Sequence, residues 1–235
     1  MRRFSLSRIL SFLGVRRRRV AIVPAVNCTD TARAVERVAA LKKLGIMKAH
    51  VDVADGAFAP VALLMEPGAP EAIVVEGKGM ALEAHLMVSA PLRELERWAV
   101  AGVRRIFLHV ETVPFHEFSA AFFSLKRRYP KLEIGIAILP ETDAESAVPF
   151  LGLCGLALCL AVKPGFSGQE FISGTIEKIE YLRRDLPACV IEVDGGITPP
   201  LVKRAREAGA DIAVSGAFVW DAPDFLSAYN ELTEA

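Results

Sequence analysis

From position 20 onward the chain alternates between short unbroken apolar runs and longer stretches whose apolar residues recur every three or four positions. VAIVPAV over 20–26 reads as a buried strand. Residues 30–44 follow as a helix, with Ala34, Val35, Val38, Ala39 and Leu41 on its apolar face and Gly45 as its stop. AHVDVADGAFAP over 49–60 opens on period-two alternation and breaks at Asp55-Gly56, so it reads as a second strand running into a turn. A Pro/Gly-broken connection with a short apolar piece at 71–76 comes next. Further strands are predicted at 80–88, 104–111, 132–139, 155–162, 189–196 and 211–218. Between and after them lie helices at 91–101, 115–129, 143–151, 175–186, 200–208 and 224–232.

Eight strands alternating with helices, with no linker-like break, predict an α/β fold: a (β/α)8 TIM barrel forming one domain over 20–235. A doubly wound parallel sheet is the alternative, but it rarely needs eight near-equal units. In such a barrel the working residues sit at the C-terminal strand ends. The chain keeps its polar residues there: Asn27, Asp52 and Asp55, His85, and His109 with Glu111, then Pro164–Gln169, Asp194-Gly195-Gly196 and Ser215-Gly216.

Composition adds two limits. At 52% hydrophobic and 24% charged, the 235 residues are globular rather than disordered. The charge is balanced at 28 basic against 28 acidic, but seven arginines fall within 1–19, where no acid stands. The remainder is therefore net acidic, which argues against a nucleic-acid-binding body. Residues 1–19 read as a basic extension outside the barrel. A short cationic amphipathic helix is the other reading of that head, and membrane contact through it is not expected. Cys28, Cys154, Cys159 and Cys189 show no CxxC spacing and no export signal precedes them, so reduced thiols in a cytoplasmic protein are expected.

His50 and Asp52, two apart on a strand, face the same side. Alone they could be a structural hydrogen-bonded pair. With His85 and Asp194 at other strand ends they make a mixed nitrogen and oxygen set suited to one divalent metal ion, Zn²⁺, Mn²⁺, Fe²⁺ or Co²⁺. Asp52 and Asp194 across a barrel mouth also suit proton removal from a carbon beside a carbonyl and its return on the other face. Gly-rich turns on three consecutive strand ends are a phosphate signal, to which Lys163 could add charge.

HVDVADGAFAP (50–60), HLMV (85–88), HVE (109–111), VKPGFSGQEF (162–171), IEVDGGI (191–197) and VSGA (214–217) resemble the ribulose-phosphate 3-epimerases, in order from position 20 to the C-terminus. The resemblance implies that His50, Asp52, His85 and Asp194 bind the metal and that Asp52 and Asp194 are the acid/base pair. It implies phosphate and substrate binding by Gly165, Gly168, Gly195, Gly196, Gly216, Ala217 and Met87. The implied reaction converts D-ribulose 5-phosphate to D-xylulose 5-phosphate through an enediolate, in a homo-oligomer.

The chain departs from that pattern at Ala25, where the family has serine, and at Ala54 and Leu160, where it has methionines. Val61 replaces an asparagine and Ala217 a serine beside the phosphate. Two other functions are therefore weighed. One is the same chemistry on a related ketose phosphate such as a hexulose 6-phosphate, for which space at Ala54 is the hint. The other is a sugar-phosphate-binding barrel without useful turnover.

Overall fold

The computed structural model describes residues 19–235, so all of the basic head except Arg19 lies outside the described residues. Strand β1 (Ala21–Val26) leads through α1 (Thr31–Lys43) to β2 (Lys48–Asp55). The two-residue β3 (Ala62–Leu63) folds back antiparallel on the end of β2, and α2 (Ala69–Glu76) follows. The units then repeat: β4 (Ala81–Met87), α3 (Pro91–Ala101), β5 (Arg105–His109), α4 (Phe115–Arg128), β6 (Glu133–Ile138) and α5 (Ala144–Cys154). The last part holds β7 (Leu156–Leu160), α6 (Gly174–Asp185), β8 (Val190–Asp194), α7 (Pro199–Ala208), β9 (Ile212–Ser215), a short α8 (Ala217–Trp220) and α9 (Phe225–Glu234). The sheet runs β1-β9-β8-β7-β6-β5-β4-β2, and pairing of β1 with β2 closes it into an eight-stranded parallel barrel. Among the described residues, no helix is long and apolar enough to cross a membrane.

Each predicted helix forms, α2 and α8 are additional, and local chemistry sets some of their starts. Asp30 accepts the Arg33 N–H at 2.9 Å to cap α1, and Asp224 accepts the Ser227 N–H at 2.6 Å to cap α9. Their apolar faces bury Leu41, Trp98, Leu95 and Phe118 against the outside of the barrel. Burying a large apolar side chain of this kind stabilises by about 1.5–3 kcal/mol, which is why the helices hold to the sheet.

Four predicted strands run too long. The run over 211–218 is strand only to Ser215. Gly216 leaves extended geometry (φ −98°, ψ −98°) and Ala217 starts a helical turn. That turn is pinned to the barrel by the Trp220 indole, which donates to the Ala25 carbonyl at 2.6 Å. A short apolar run such as AFVW cannot be sorted into strand or helix by periodicity. The strands over 104–111, 155–162 and 189–196 likewise stop at His109, Leu160 and Asp194, and Val110–Thr112 forms a 3₁₀ turn. The apolar piece at 71–76 belongs to α2.

The barrel interior is divided. Phe107, Ala137, Leu156, Leu158 and Leu160 make an apolar plug on the β5–β7 side. Gly135 on β6 is required there, because a Cβ at that position would come within 2.7 Å of the Phe107 ring. The β2, β4 and β8 side is filled by His50, Glu83, His85, Glu192 and Asp52, all buried.

Candidate active site

Strand register builds the site. Asp52 on β2 stands opposite His85 on β4, and Asp194 ends β8 beside Leu160 of β7 and Val214 of β9. His50, two residues below Asp52, points to the same interior and is fully buried. One donor atom from each of His50, Asp52, His85 and Asp194 lies within 4.8 Å of all the others. His85 Nδ1 is 3.2 Å from Asp52 Oδ1 and 3.8 Å from Asp194 Oδ2. His50 Nε2 is 3.5 Å and 4.0 Å from the same two oxygens. Donors about 2.0–2.2 Å from a common cation sit about 3–4 Å from one another. The spacing therefore fits a divalent ion, and so does the buried Nε2 of His50, which has no hydrogen-bond partner among the described residues.

The ring orientations suit that role. His50 Nδ1 lies 2.8 Å from Glu83 Oε1, so the proton sits on Nδ1 and Nε2 keeps a lone pair toward the site when a cation is held. His85 Nε2 lies 2.9 Å from His109 Nε2, and His109 Nδ1 lies 3.1 Å from Glu111 Oε2. A lone pair on His85 Nδ1 puts its proton on Nε2, which donates to His109. His109 then donates from Nδ1 to Glu111, whose other oxygen accepts the Leu139 N–H at 3.0 Å. Phe58 covers His109, ring centroids 4.5 Å apart.

The electrostatics divide the four groups. Burial alone would raise Asp52, but hydrogen bonds and charge from His50 and His85 hold it well below the ordinary carboxylate range. Burial, then the Asp52 charge, pushes Asp194 up to about 7. Burial draws His85 down to about 4. Burial would also depress His50, yet the surrounding Asp52, Glu192 and Glu83 carboxylates raise it well above its usual value.

Beneath this layer lies a second one that carries charge. Arg105 reaches Glu133 at 2.7 Å, Glu83 at 3.4 Å and Glu192 at 3.6 Å, and Glu192 is 3.6 Å from His50 Nδ1. Burial, then the Glu83 charge, pushes Glu192 well above its usual range. Burial would raise Glu83 too, but its hydrogen bonds and the His50 and Arg105 charges bring it down to about 2.

Above the four groups opens a cavity of about 240 Å³. Asp52, His85, Met87 and Asp194 line it, together with Gly165, Gly168, Gly195, Gly196, Gly216 and Ala217. His50 is not in the lining; it sits below it. Gly195 and Gly196 have φ of +108° and +65°. A Cβ on Gly195 would lie 2.4 Å from a Val162 methyl, and one on Gly196 would lie 2.8 Å from the Phe171 nitrogen. The turn after β8 thus admits only glycine twice over. Exposed Lys163 and Ser167 are on the same rim.

Of the departures, Ala25, Leu160 and Ala217 line the cavity, whereas Ala54 and Val61 do not. Ala54 is fully buried in a cluster with Ala59, Leu63 and Met87, so the space expected there is filled. The sequence marks Asn27, His109 and Glu111 only as polar residues at strand ends and gives no role to Glu83, Arg105 or Glu192. Glu83 and Glu192 stand two residues before His85 and Asp194, and alternation alone places them on the same inner face. Asn27 and Arg105 reach their partners across strands that only the closed barrel brings together.

Three comparisons bear on this arrangement. Residues 21–220 match the model of the ribulose-phosphate 3 epimerase family. Proteins named ribulose-phosphate 3-epimerase from Chlamydia muridarum and Chlamydia trachomatis are 35% and 33% identical to the chain over 205 and 208 residues. The alignments cover 85% and 86% of this chain and 87% of each relative. A solved 3-keto-L-gulonate-6-phosphate decarboxylase from Vibrio cholerae superposes with a TM-score of 0.68 at 16% identity, over 92% of this chain and 96% of its own, a likeness of fold.

Proposed function

The chain belongs to the ribulose-phosphate 3-epimerase family, an isomerase class, and from that premise we propose that it inverts C3 of D-ribulose 5-phosphate to give D-xylulose 5-phosphate. The observation that carries the reading is the convergence of Asp52 and Asp194, from β2 and β8, on the floor of one cavity beside the His50 and His85 nitrogens. Asp52, held ionised, takes the C3 proton from one face. Asp194 delivers a proton to the opposite face, and the two exchange roles in the reverse direction. A single carboxylate would tend to return the proton to the face it left.

His50, His85, Asp52 and Asp194 are the residues that would hold one divalent ion. Zn²⁺, Mn²⁺, Fe²⁺ and Co²⁺ all suit the donor set. When bound, such an ion polarises a substrate carbonyl and stabilises the charge that develops on the enediolate oxygens. The chain's own contribution is to aim the two imidazoles through Glu83 and His109 and to present the two carboxylates at the cavity floor. The phosphate is assigned to the rim formed by Gly165, Gly168, Gly195, Gly196, Gly216 and Ala217, with Met87 against the sugar. Backbone amides in such turns and at helix starts suit an anion. A cytoplasmic setting accords with four free thiols, of which burial pushes Cys159 up to about 12 and Cys154 and Cys189 to about 11. A homo-oligomer is part of the same proposal.

The test is C3 solvent exchange in Asp194→Asn with metal content verified. Inversion is expected to stop, with a loss of about 10²–10⁴-fold, while Asp52 still exchanges the C3 proton of one epimer with deuterated water. Inversion at the wild-type rate in that variant sinks the two-carboxylate mechanism. Because Ala25 and Ala217 leave the cavity wall two hydroxyls short of the family pattern, hexulose 6-phosphates are assayed beside D-ribulose 5-phosphate.

A further inference from the structure

We propose that Asn27 is a positioning residue whose one side-chain amide holds both the Asp52 carboxylate and the loop over 163–169 that follows β7. The inference rests on the reading of Asp52 as a working group of the site. Asn27 Nδ2 donates to Asp52 Oδ2 at 2.9 Å and to the Gly165 carbonyl at 3.1 Å. Both neighbours are acceptors, so the amide is turned with its nitrogen toward them, and its two N–H bonds are spent, one on each. Among the described residues no other group donates to Oδ2 of Asp52, since the histidines approach Oδ1. Asn27 therefore fixes the carboxylate plane, and with it which oxygen faces the imidazoles.

Asn27 is itself held from behind. Its backbone carbonyl accepts from Arg37 Nη1 at 3.1 Å, and the Arg37 guanidinium lies over the Trp220 ring, 4.5 Å from its centroid. On the other side, Gly165 is seated against Val61, Pro60 and Ala59, where a Cβ would come as close as 3.1 Å. The next residue, Phe166, is 58% exposed. The loop is thus anchored to the barrel at Gly165, while the Gln169 amide ties it within itself, donating to the Lys163 and Phe166 carbonyls at 2.7 Å and 2.8 Å. The hydrogen bond at Gly165 comes from the same amide that aims Asp52, so one side chain links the loop over the cavity to the carboxylate on its floor.

The experiment uses the full chain, wild type and Asn27→Leu, which keeps the bulk and removes the donors; Asn27→Ala serves if leucine does not fold. Two readouts are taken that need no turnover. Metal-free protein is titrated with Co²⁺ alone and followed by its visible absorption, and cleavage after Phe166 is timed in limited chymotrypsin digestion. The variant is expected to bind Co²⁺ about ten- to a hundredfold more weakly, as when a partner behind a ligand is lost. It is expected to be cut after Phe166 at least about fivefold faster, with cleavage at exposed Phe123 unchanged. Wild-type behaviour in both readouts overturns the proposal, and so does a change in only one, because a single amide is claimed to hold both partners. A wild-type protein that binds Co²⁺ but epimerises no ketose phosphate overturns the assigned reaction instead, and the Asn27 comparison still reads out.

Discussion

Loading the site with a divalent ion should expel protons, and the structure says how steeply. The four donors must present two carboxylates and two free imidazole nitrogens. In the metal-free protein, Asp194 titrates at about 7, so below that pH it holds a proton the ion must displace. Between pH 8 and pH 6 such a group alone weakens binding by about tenfold. His50, raised well above its usual value, adds up to about another tenfold per pH unit over the range in which it is protonated. His85, drawn down to about 4, and Asp52, lower still, add nothing in this window. The sign is therefore fixed: affinity falls as pH falls, by at least about tenfold from pH 8 to pH 6. The assay is competition of metal-free protein with a fluorescent chelator for Zn²⁺ at pH 6, 7 and 8, with proton release followed by an indicator dye in weak buffer. Asp194→Asn should remove its share of the slope while weakening binding at every pH. Equal affinity at pH 6 and pH 8 with no proton released would refute the reasoning.

Two further predictions concern the layers around the site. Arg105→Met removes one of the two cationic groups, Arg105 and His50, that hold buried Glu83 ionised, so urea unfolding at pH 7 should show a loss of about 1–3 kcal/mol; a change below about 0.5 kcal/mol would show that Glu83 does not depend on it. For Glu111, burial raises the pKa, but the His109 and Thr142 hydrogen bonds and the Leu139 amide bring it down to about 2, so its stabilisation is fully present above about pH 4.5 and is lost as pH falls through about 2. Glu111→Gln should cost on the order of 2 kcal/mol at pH 7, with the gap to wild type narrowing between pH 5 and pH 2; a gap that stays constant over that range contradicts the assignment.

Much of this protein is legible along the chain because its information is local. Alternation at His50 and Asp52 puts two polar groups on one strand face, and the spacing of apolar residues in α1 or α3 sets which side of each helix meets the sheet. Repeating strand and helix eight times leaves few ways to bury all the apolar faces, so the barrel and the end that carries its polar residues follow from pattern alone. Strand ends are less legible: at 216–218 the apolar run continues while the backbone turns, and burial of Val219 with the Trp220 to Ala25 hydrogen bond, 195 positions apart in sequence, holds the helical turn.

What the chain could not disclose is every property that depends on distance across the barrel. That Asn27 spans from Asp52 to Gly165, or that Arg105 sits between Glu83, Glu133 and Glu192, requires the closure of β1 on β2 and the register of β4 against β5. Side-chain type predicted that Asp52 and Asp194 could ionise; it did not predict that they would part. Their pKa values separate because Asp52 lies nearer to both imidazoles and takes their hydrogen bonds, while Asp194, farther from the rings, faces Asp52's charge. Coulombic and desolvation energies follow distance and burial, which tertiary structure alone supplies.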